Sequence, residues 1–404
     1  MSFSRTILLT GFPGFIAGRL VERLAREEYQ FFLLVQSEFL ADAVEDVNRI
    51  SEEKKVPLEN FAVIEGDITS PDLGMDPDDA ATVRYETTDV FHLAAVYDLA
   101  VEKELATRVN LEGTQNVNTF VRSLRHLKRY NYISTCYVAG KRTGVIQETE
   151  LEHDKGFRNY YEETKYLAEI EVEKLKGSLP VTIFRPSVVV GDSETGEIPK
   201  YDGIYYLIQY LRKAPYLLRA INVGNKVVRL NLVPVDFVVN AIAELAFDEK
   251  AKGKTIAIAD PDPLTTEELF DTIAQELTGR RSEFAPSPKL VQWFLLKPFS
   301  PPMTGLPTHA VPYFFLEQTY DTTLANELLS PHDVKCPNFR DYVPNLLNSS
   351  KKIQNFDRSI FYSLLPIFRS KQYEDGNDAN MTTDEASYSI CVAALLTCSS
   401  VFLS

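Results

Sequence analysis

The sequence predicts an α/β protein with a Rossmann-type, doubly wound parallel sheet and a smaller C-terminal substrate lobe. Over roughly the first 260 residues, short and almost continuously apolar runs alternate with amphipathic helical segments. This alternation is typical of a parallel sheet that helices cover on both faces. A glycine-rich turn over residues 10–14 joins the first apolar run to the first helical segment. In folds of this kind, ligands bind at the carboxyl ends of the strands.

Seven apolar runs are the predicted strands of this sheet. They cover residues 6–9, 31–35, 61–64, 90–93, 130–133, 181–184 and 255–258. The first helix follows the glycine turn, because Ile16, Leu20 and Leu24 recur every four residues and form one apolar stripe.

The pattern changes after the sixth strand, and the sequence predicts three regions. Residues 1–260 form a dinucleotide-binding Rossmann domain, with 192–230 contributing to the substrate lobe. Residues 261–347, rich in prolines and aromatic side chains, form the substrate-side lobe. Residues 348–404 are a poorly defined tail whose uncharged end, 386–404, is near the length of a short membrane span. We interpret this end as loosely packed, with weak membrane association as the alternative.

The composition restricts the class of protein. With 45% hydrophobic and 25% charged residues, the 404-residue chain has the profile of a soluble globular protein. A formal net charge of −15 disfavours a nucleic-acid partner, whose phosphates would be repelled. The four cysteines have no metal-like pairing with histidine, so no metal ion is expected. The N-terminus lacks the pattern of a secretory signal, which predicts a cytoplasmic protein.

The glycine turn predicts the binding of a dinucleotide. Gly11 and Gly14 stand three residues apart between a strand and a helix, where they allow the backbone to approach a pyrophosphate closely. The helix N-terminus then presents free N–H groups to the phosphates. An ordinary tight turn between a strand and a helix is the alternative.

Tyr161 and Lys165 are the strongest candidates for catalysis. They stand at positions i and i+4 of a predicted helix and therefore share one face. A nearby ammonium favours the phenolate and lowers the pKa of the tyrosine. Ser134 and Thr135 follow the fifth strand, where a hydroxyl can hold a substrate oxygen against the tyrosine. The alternatives are a solvated helix face and hydroxyls that terminate a strand by bonding backbone.

Considered together, these motifs resemble the extended short-chain dehydrogenase/reductase family. They occur in the order that the family shows and cover residues 6 to about 260. They are Thr10-Gly11-x-x-Gly14-x-x-Ala17, Gly66-Asp67-Ile68, His92-Leu93-Ala94-Ala95, Asn110-x-x-Gly113-Thr114, Ser134-Thr135, Tyr161-x-x-x-Lys165 and Arg185-Pro186-Ser187.

The resemblance implies a role for each matched position. Tyr161 would be the acid/base, and Lys165 would lower its pKa and bind the nicotinamide ribose. Thr135 would be the catalytic hydroxyl, with Ser134 as its rival for contact with the substrate. Asn110 would order the fourth helix, a structural role, with the relay of a proton as the alternative. The implied contacts with the cofactor are Thr10, Gly11, Gly14, Phe15, Ile16, Gln36, Asp67, Ile68, Ala94, Ala95, Lys165, Pro186, Ser187 and Val188.

One departure from the family pattern bears on the choice of dinucleotide. Gln36 and Ser37 follow the second strand, where an acidic residue would bond the ribose hydroxyls of NAD and repel a 2′-phosphate. Its absence favours NADP. NAD remains possible, because no arginine replaces the acid and Glu38 is close in the chain.

Three functions remain open for this sequence. Two strings, 92–98 and 134–138, look most like the branch of fatty acyl-CoA reductases and thioester reductase domains, which implies reduction of a hydrophobic carbonyl or acyl thioester. Arg229 stands seven residues before Asp236, an offset at which nucleotide-sugar epimerases and dehydratases of the family contact a sugar diphosphate. A non-catalytic dinucleotide sensor is the third, and the intact pair of Tyr161 and Lys165 counts against it. By analogy with the family, a homodimer is expected.

Overall fold

The computed structural model describes residues 3–199, 203–213, 221–298, 300–304 and 306–350. These residues form two compact units. The first unit contains residues 3–199, 227–264 and 316–349, and the second contains the described residues of 203–226 and 265–315. The uncharged chain end at 386–404, with its alternative of membrane association, lies outside the described residues.

The first unit is built on a seven-stranded parallel sheet, and all seven predicted strands are confirmed. The strands of the unit are β1 (Arg5–Thr10), β2 (Tyr29–Val35), β3 (Phe61–Glu65), β4 (Asp89–His92), β5 (Arg129–Ile133), β6 (Gly144–Ile146), β7 (Val181–Pro186), β8 (Val188–Val190), β9 (Leu232–Pro234), β10 (Thr255–Ile258) and β11 (Gln318–Tyr320). The large sheet has the order β10-β7-β5-β4-β1-β2-β3. β8 pairs with β9 and β11 pairs with β6, each as a separate two-stranded sheet.

Helices connect the strands of the first unit and build the second unit. They are α1 (Phe15–Leu24), α2 (Leu40–Lys54), α3 (Pro77–Glu86), α4 (Lys103–Ala106), α5 (Gly113–Arg122), α6 (Tyr160–Glu173), α7 (Ile204–Lys213), α8 (Val235–Leu245), α9 (Thr266–Thr278), α10 (Pro288–Leu295), α11 (Ser300–Thr304), α12 (Thr323–Leu329) and α13 (Phe339–Ser349). A π-helical segment, Thr107–Glu112, joins α4 to α5. Among the described helices, none is both long and apolar enough to cross a membrane.

The sheet is buried on both faces, as the prediction of a doubly wound fold requires. Successive side chains of β1 point to opposite faces. Ile7 and Leu9 pack in one apolar cluster with α1, α2 and α8, whereas Leu8 packs in a second cluster with α3, α5 and α6. The near-continuous apolar strands of the sequence follow from this burial on two sides.

The order of the strands places one crevice at the carboxyl edge of the sheet. From β1 the chain adds strands toward β2 and β3, and from β4 it adds them in the other direction. The neighbouring strands β1 and β4 therefore mark the topological switch point, where open α/β sheets bind their ligands. The glycine turn follows β1 at this edge.

The C-terminal segment 316–349 belongs to the first unit, although the sequence analysis assigned residues to 347 to the substrate lobe. The carboxylate of Glu148 joins this segment to the sheet. It accepts hydrogen bonds from Ala257 N at 2.8 Å and from Leu324 N at 2.7 Å. Hydrophobic patterning alone does not show such a connection, because a polar group makes it.

Candidate active site

The glycine turn leaves no room for side chains at its two glycines. Gly11 has a φ of +93°, and a Cβ there would lie 2.8 Å from Ala94 N. A Cβ on Gly14 would lie 2.6 Å from Gly11 O. No side chain caps the first turn of α1, which begins with Phe15 and Ile16 and contains no acidic residue. This backbone cradle at a helix N-terminus fits the pyrophosphate of a dinucleotide.

The chain offers a matched pair of glycines that tests this cradle. Gly253 also has a positive φ, of +76°, but no atom lies within 4 Å of its Cβ position. Alanine at either position costs roughly 1–2 kcal/mol of backbone strain. Only Gly11→Ala also displaces the backbone of Ala94, so we expect it to weaken dinucleotide binding by at least about tenfold. Titration with NADPH and NADH, followed by cofactor fluorescence, measures the effect. Equal affinities for the two variants would contradict the assignment.

A buried chain of hydrogen bonds connects β1 to β4 beneath the turn. The Thr114 hydroxyl donates to Asn110 O at 2.7 Å, so it accepts from His92 Nε2 at 3.0 Å. Burial, with a smaller effect of Lys165, lowers the pKa of His92 to about 3, so the imidazole is neutral. Its Nδ1 then accepts from the Thr10 hydroxyl at 2.8 Å.

Thr10 in turn positions the backbone that faces the cradle. Its hydroxyl oxygen accepts from Ala94 N at 3.2 Å. Ala94 and Ala95 are both half-buried in the loop after β4. The sequence analysis placed Thr10, Ala94 and Ala95 at the cofactor, and the structure brings Thr10 and Ala94 together with Gly11.

Two of the residues predicted at the adenosine end are in contact. Gln36 follows β2, and its side-chain amide donates to the Asp67 carboxylate at 3.2 Å. The other oxygen of Asp67 accepts from Thr69 N at 2.8 Å. Ile68 is buried in the cluster beneath α5, so much of its side chain belongs to the core. Ser37 donates to Glu65 beside Gln36.

Tyr161 and Thr135 are brought together at the carboxyl end of β5. Both residues are buried, and the Thr135 side chain acts on the Tyr161 hydroxyl so as to lower its pKa. Burial raises the pKa of the Tyr161 hydroxyl above its ordinary value, and the bond to Thr135 partly offsets this rise. The ring of Tyr97 packs edge-on against Tyr161, with the ring centroids 5.3 Å apart.

Lys165 lies one helical turn from Tyr161, but its ammonium is held by β5. Nζ donates to Tyr132 Oη at 3.1 Å and to Ile133 O at 2.9 Å. It also lies 4.6 Å from the centre of the Tyr132 ring. Burial lowers the pKa of Lys165 to about 8, and Glu169 partly offsets this. The predicted lowering of the Tyr161 pKa by Lys165 is not found: burial raises this pKa, and the Lys165 ammonium is bonded to Tyr132 and Ile133 instead.

The structure separates the two candidate hydroxyls after β5. The Ser134 hydroxyl donates to a carboxylate oxygen of Glu169. Glu169 also forms a buried ion pair with Arg185, with distances of 2.5 Å to Nη2 and 2.8 Å to Nε. The Ser134 hydroxyl is engaged in this buried network, and its contact with a substrate stays a prediction. Thr135 contacts Tyr161 instead.

Two other predicted positions have structural contacts of their own. The Ser187 hydroxyl donates to Asn231 O at 2.6 Å and thereby joins β8 to β9, next to Pro186 and Val188. Arg229 donates to Pro263 O and lies 3.6 Å from the Asp262 carboxylate on the surface. Arg229 thus pairs with a surface carboxylate, which is the alternative to its binding a sugar diphosphate.

Asn110 has the structural role that was expected for it. It lies in the π-helical segment, and its side chain bonds both Val96 N at 2.8 Å and Val96 O at 3.3 Å. It therefore fixes the loop that carries Tyr97. Sequence reasoning missed Tyr132, because an aromatic residue within an apolar strand is expected in the core.

The sheet order, the glycine cradle and the Tyr161–Thr135 pair together define an extended short-chain dehydrogenase/reductase. Residues 9–242 match the model of the NAD-binding family described as male sterility protein, and the chain belongs to this family.

Known proteins agree with this assignment. The chain is 27% identical over 281 residues to "Fatty acyl-CoA reductase wat" of Drosophila melanogaster. The match covers 60% of this chain and 54% of that protein. It thus spans about half the length of the curated relatives it matches.

Two solved structures share the fold. The terminal R domain from the myxalamid PKS-NRPS biosynthetic pathway has a TM-score of 0.71 at 23% identity, covering 85% of this chain and 90% of that domain. UDP-glucuronic acid 4-epimerase from Bacillus cereus, in complex with NAD, has a TM-score of 0.60 at 17% identity, covering 87% and 100%.

Proposed function

We propose that this chain is a nicotinamide-dinucleotide-dependent reductase of a hydrophobic carbonyl or acyl thioester. The observation that carries the proposal is the buried pair of Tyr161 and Thr135 at the carboxyl edge of the sheet, with Lys165 one helical turn away. This arrangement supplies a positioned proton donor beside the cradle of Gly11 and Gly14.

Each side chain has one task in the proposed reaction. The nicotinamide, when bound, supplies a hydride to the substrate carbon. Thr135 holds the substrate oxygen, and Tyr161 donates a proton to it. Because burial raises the pKa of Tyr161, its hydroxyl is protonated at neutral pH, which suits reduction. With a thioester, these two transfers give a hemithioacetal; its C–S bond then breaks as the hydroxyl proton is lost and a proton reaches the sulfur, which leaves an aldehyde and the free thiol. Lys165 binds the ribose of the dinucleotide.

An acyl thioester is the favoured substrate class. The Drosophila relative is named as a fatty acyl-CoA reductase. Arg229 supports the same choice, because it contacts Pro263 O and Asp262 and its guanidinium is engaged on the protein itself. The cofactor contacts proposed from the sequence remain part of this proposal.

NADP is the favoured dinucleotide, with NAD as the alternative. Gln36 is neutral and does not repel a 2′-phosphate. Its amide is bonded to Asp67, whose carboxylate lies in the same region and favours ribose hydroxyls. The ratio of the dissociation constants for NADPH and NADH measures this preference directly.

Absorbance assays with the purified full chain test the function. We expect long-chain acyl-CoA or long-chain aldehyde to oxidise NADPH, with release of free thiol from the thioester. A UDP-sugar should be neither bound nor epimerised. Epimerisation with a dinucleotide that survives purification would replace the proposal with a nucleotide-sugar enzyme. Dinucleotide binding without any turnover would instead indicate a sensor.

A further inference from the structure

Helix α10 presents an apolar and basic face to solvent. Trp293 is 52% exposed and Leu296 is 46% exposed. Lys289 stands four residues before Trp293 on the helix and therefore shares its face, whereas Leu296 and Lys297 directly follow the last helical residue, Leu295. Lys297 Nζ lies 4.5 Å from the centre of the indole ring. Leu290, three residues before Trp293, falls on this face too.

The opposite face of α10 anchors the helix in the second unit. Val291 and Leu295 are buried, and they pack in one cluster with Val311. On the helical wheel these two residues lie nearly opposite Trp293. The core of the second unit thus packs against the face of Val291 and Leu295, and the face of Trp293 lies outside that core. No acidic residue occurs from Pro288 to Lys297.

We propose that the outward face of α10 docks on the surface of an anionic lipid bilayer. Tryptophan is enriched at membrane interfaces, where its ring lies at the level of the head groups. Leucine beside it inserts at the acyl boundary, and lysines at the rim meet anionic head groups. Eight helical residues span only about 12 Å, so α10 lies in the interface and does not cross the membrane.

Local charge complementarity at this helix favours an anionic bilayer. The formal net charge of the chain is −15, so two copies repel each other and the chain as a whole repels an anionic surface. Lys289 and Lys297 stand on either side of Trp293, and no acidic residue occurs between them, so this segment carries local positive charge. The attraction of basic residues to anionic lipids falls off within a Debye length, so the lysines nearest the membrane contribute most to binding.

The single tryptophan of the chain makes the contact directly observable. Full-length protein is mixed with phosphatidylcholine vesicles that either contain or lack phosphatidylserine, and Trp293 emission is recorded together with co-sedimentation. We expect a blue shift, protection from acrylamide quenching and sedimentation with the anionic vesicles, all weakened by high salt. Leu296→Glu should reduce the partition coefficient at least about tenfold. Lys289→Glu combined with Lys297→Glu should remove the dependence on phosphatidylserine.

A matched variant controls for a general effect of added charge. Leu58 is 49% exposed in the first unit, so Leu58→Glu makes the same change away from α10 and should leave binding unchanged. Three results would overturn the proposal: no sedimentation with anionic vesicles, sedimentation without a change in Trp293 emission, and an emission shift that depends on protein concentration without lipid. The second result would place the contact in another segment, and the third would place it between copies of the chain.

Discussion

Tyr161→Phe should lower kcat for acyl thioester or aldehyde reduction by about 10²–10⁴-fold, while the dissociation constant of the dinucleotide stays unchanged. The substitution removes the proton donor and retains the ring that packs against Tyr97 and Val101. Steady-state NADPH oxidation measures turnover, and cofactor fluorescence measures binding.

Tyr160 provides the matched control. It precedes Tyr161 on α6 but is exposed, with Lys103 near its ring. Tyr160→Phe removes the same hydroxyl and should leave both constants at their original values. If Tyr161→Phe keeps the original kcat, then Tyr161 is not the acid/base and the proposed reaction fails.

Glu169→Gln should lower the free energy of unfolding by about 3–5 kcal/mol, because it leaves a buried guanidinium without its counter-charge. The side chains of Glu169 and Arg185 are 0% and 4% exposed. The substitution also weakens the acceptor of the Ser134 hydroxyl. Urea-induced unfolding followed by circular dichroism measures the loss.

Glu171, on the same helix, provides the control, because Glu171→Gln is the same substitution at a partly exposed carboxylate. Its side chain is 33% exposed and pairs with Lys174 at 2.7 Å. Exposed ion pairs of this kind contribute only about 0–1 kcal/mol. Glu171→Gln should therefore change the unfolding free energy little. Equal losses for the two variants would show that the Glu169–Arg185 pair is not the source of stability argued above.

The sequence predicted the sheet and the turn because both depend on local patterns. Apolar runs mark strands that are buried on two sides. Glycines mark the turn, because a Cβ on Gly11 would collide with Ala94 N and a Cβ on Gly14 with Gly11 O. The pairing of Tyr161 with Thr135 follows from a helix and a strand that end at the same edge.

The contacts of single polar side chains were harder to predict from the sequence. Ser134 and Thr135 are adjacent and chemically alike. Ser134 N still bonds Phe184 O in the manner of the strand, whereas Thr135 begins a helical turn and caps it with its hydroxyl. The two side chains diverge at this change in backbone, which spacing does not reveal. For the same reason, the contact of Lys165 with Tyr132 depends on which strand lies beside α6.

The bond from Glu148 to residues 324 and 325 has a consequence for the order in which the protein is made. Residues 265–315 of the second unit lie between two parts of the first, so a ribosome releases them before residues 316–349, which belong to the sheet unit. Until Leu324 and Ala325 leave the ribosome, the Glu148 carboxylate lacks the two N–H groups at the start of α12 that donate hydrogen bonds to it. The dinucleotide-binding unit therefore reaches its final form only after residues 265–315 of the second unit have been synthesised.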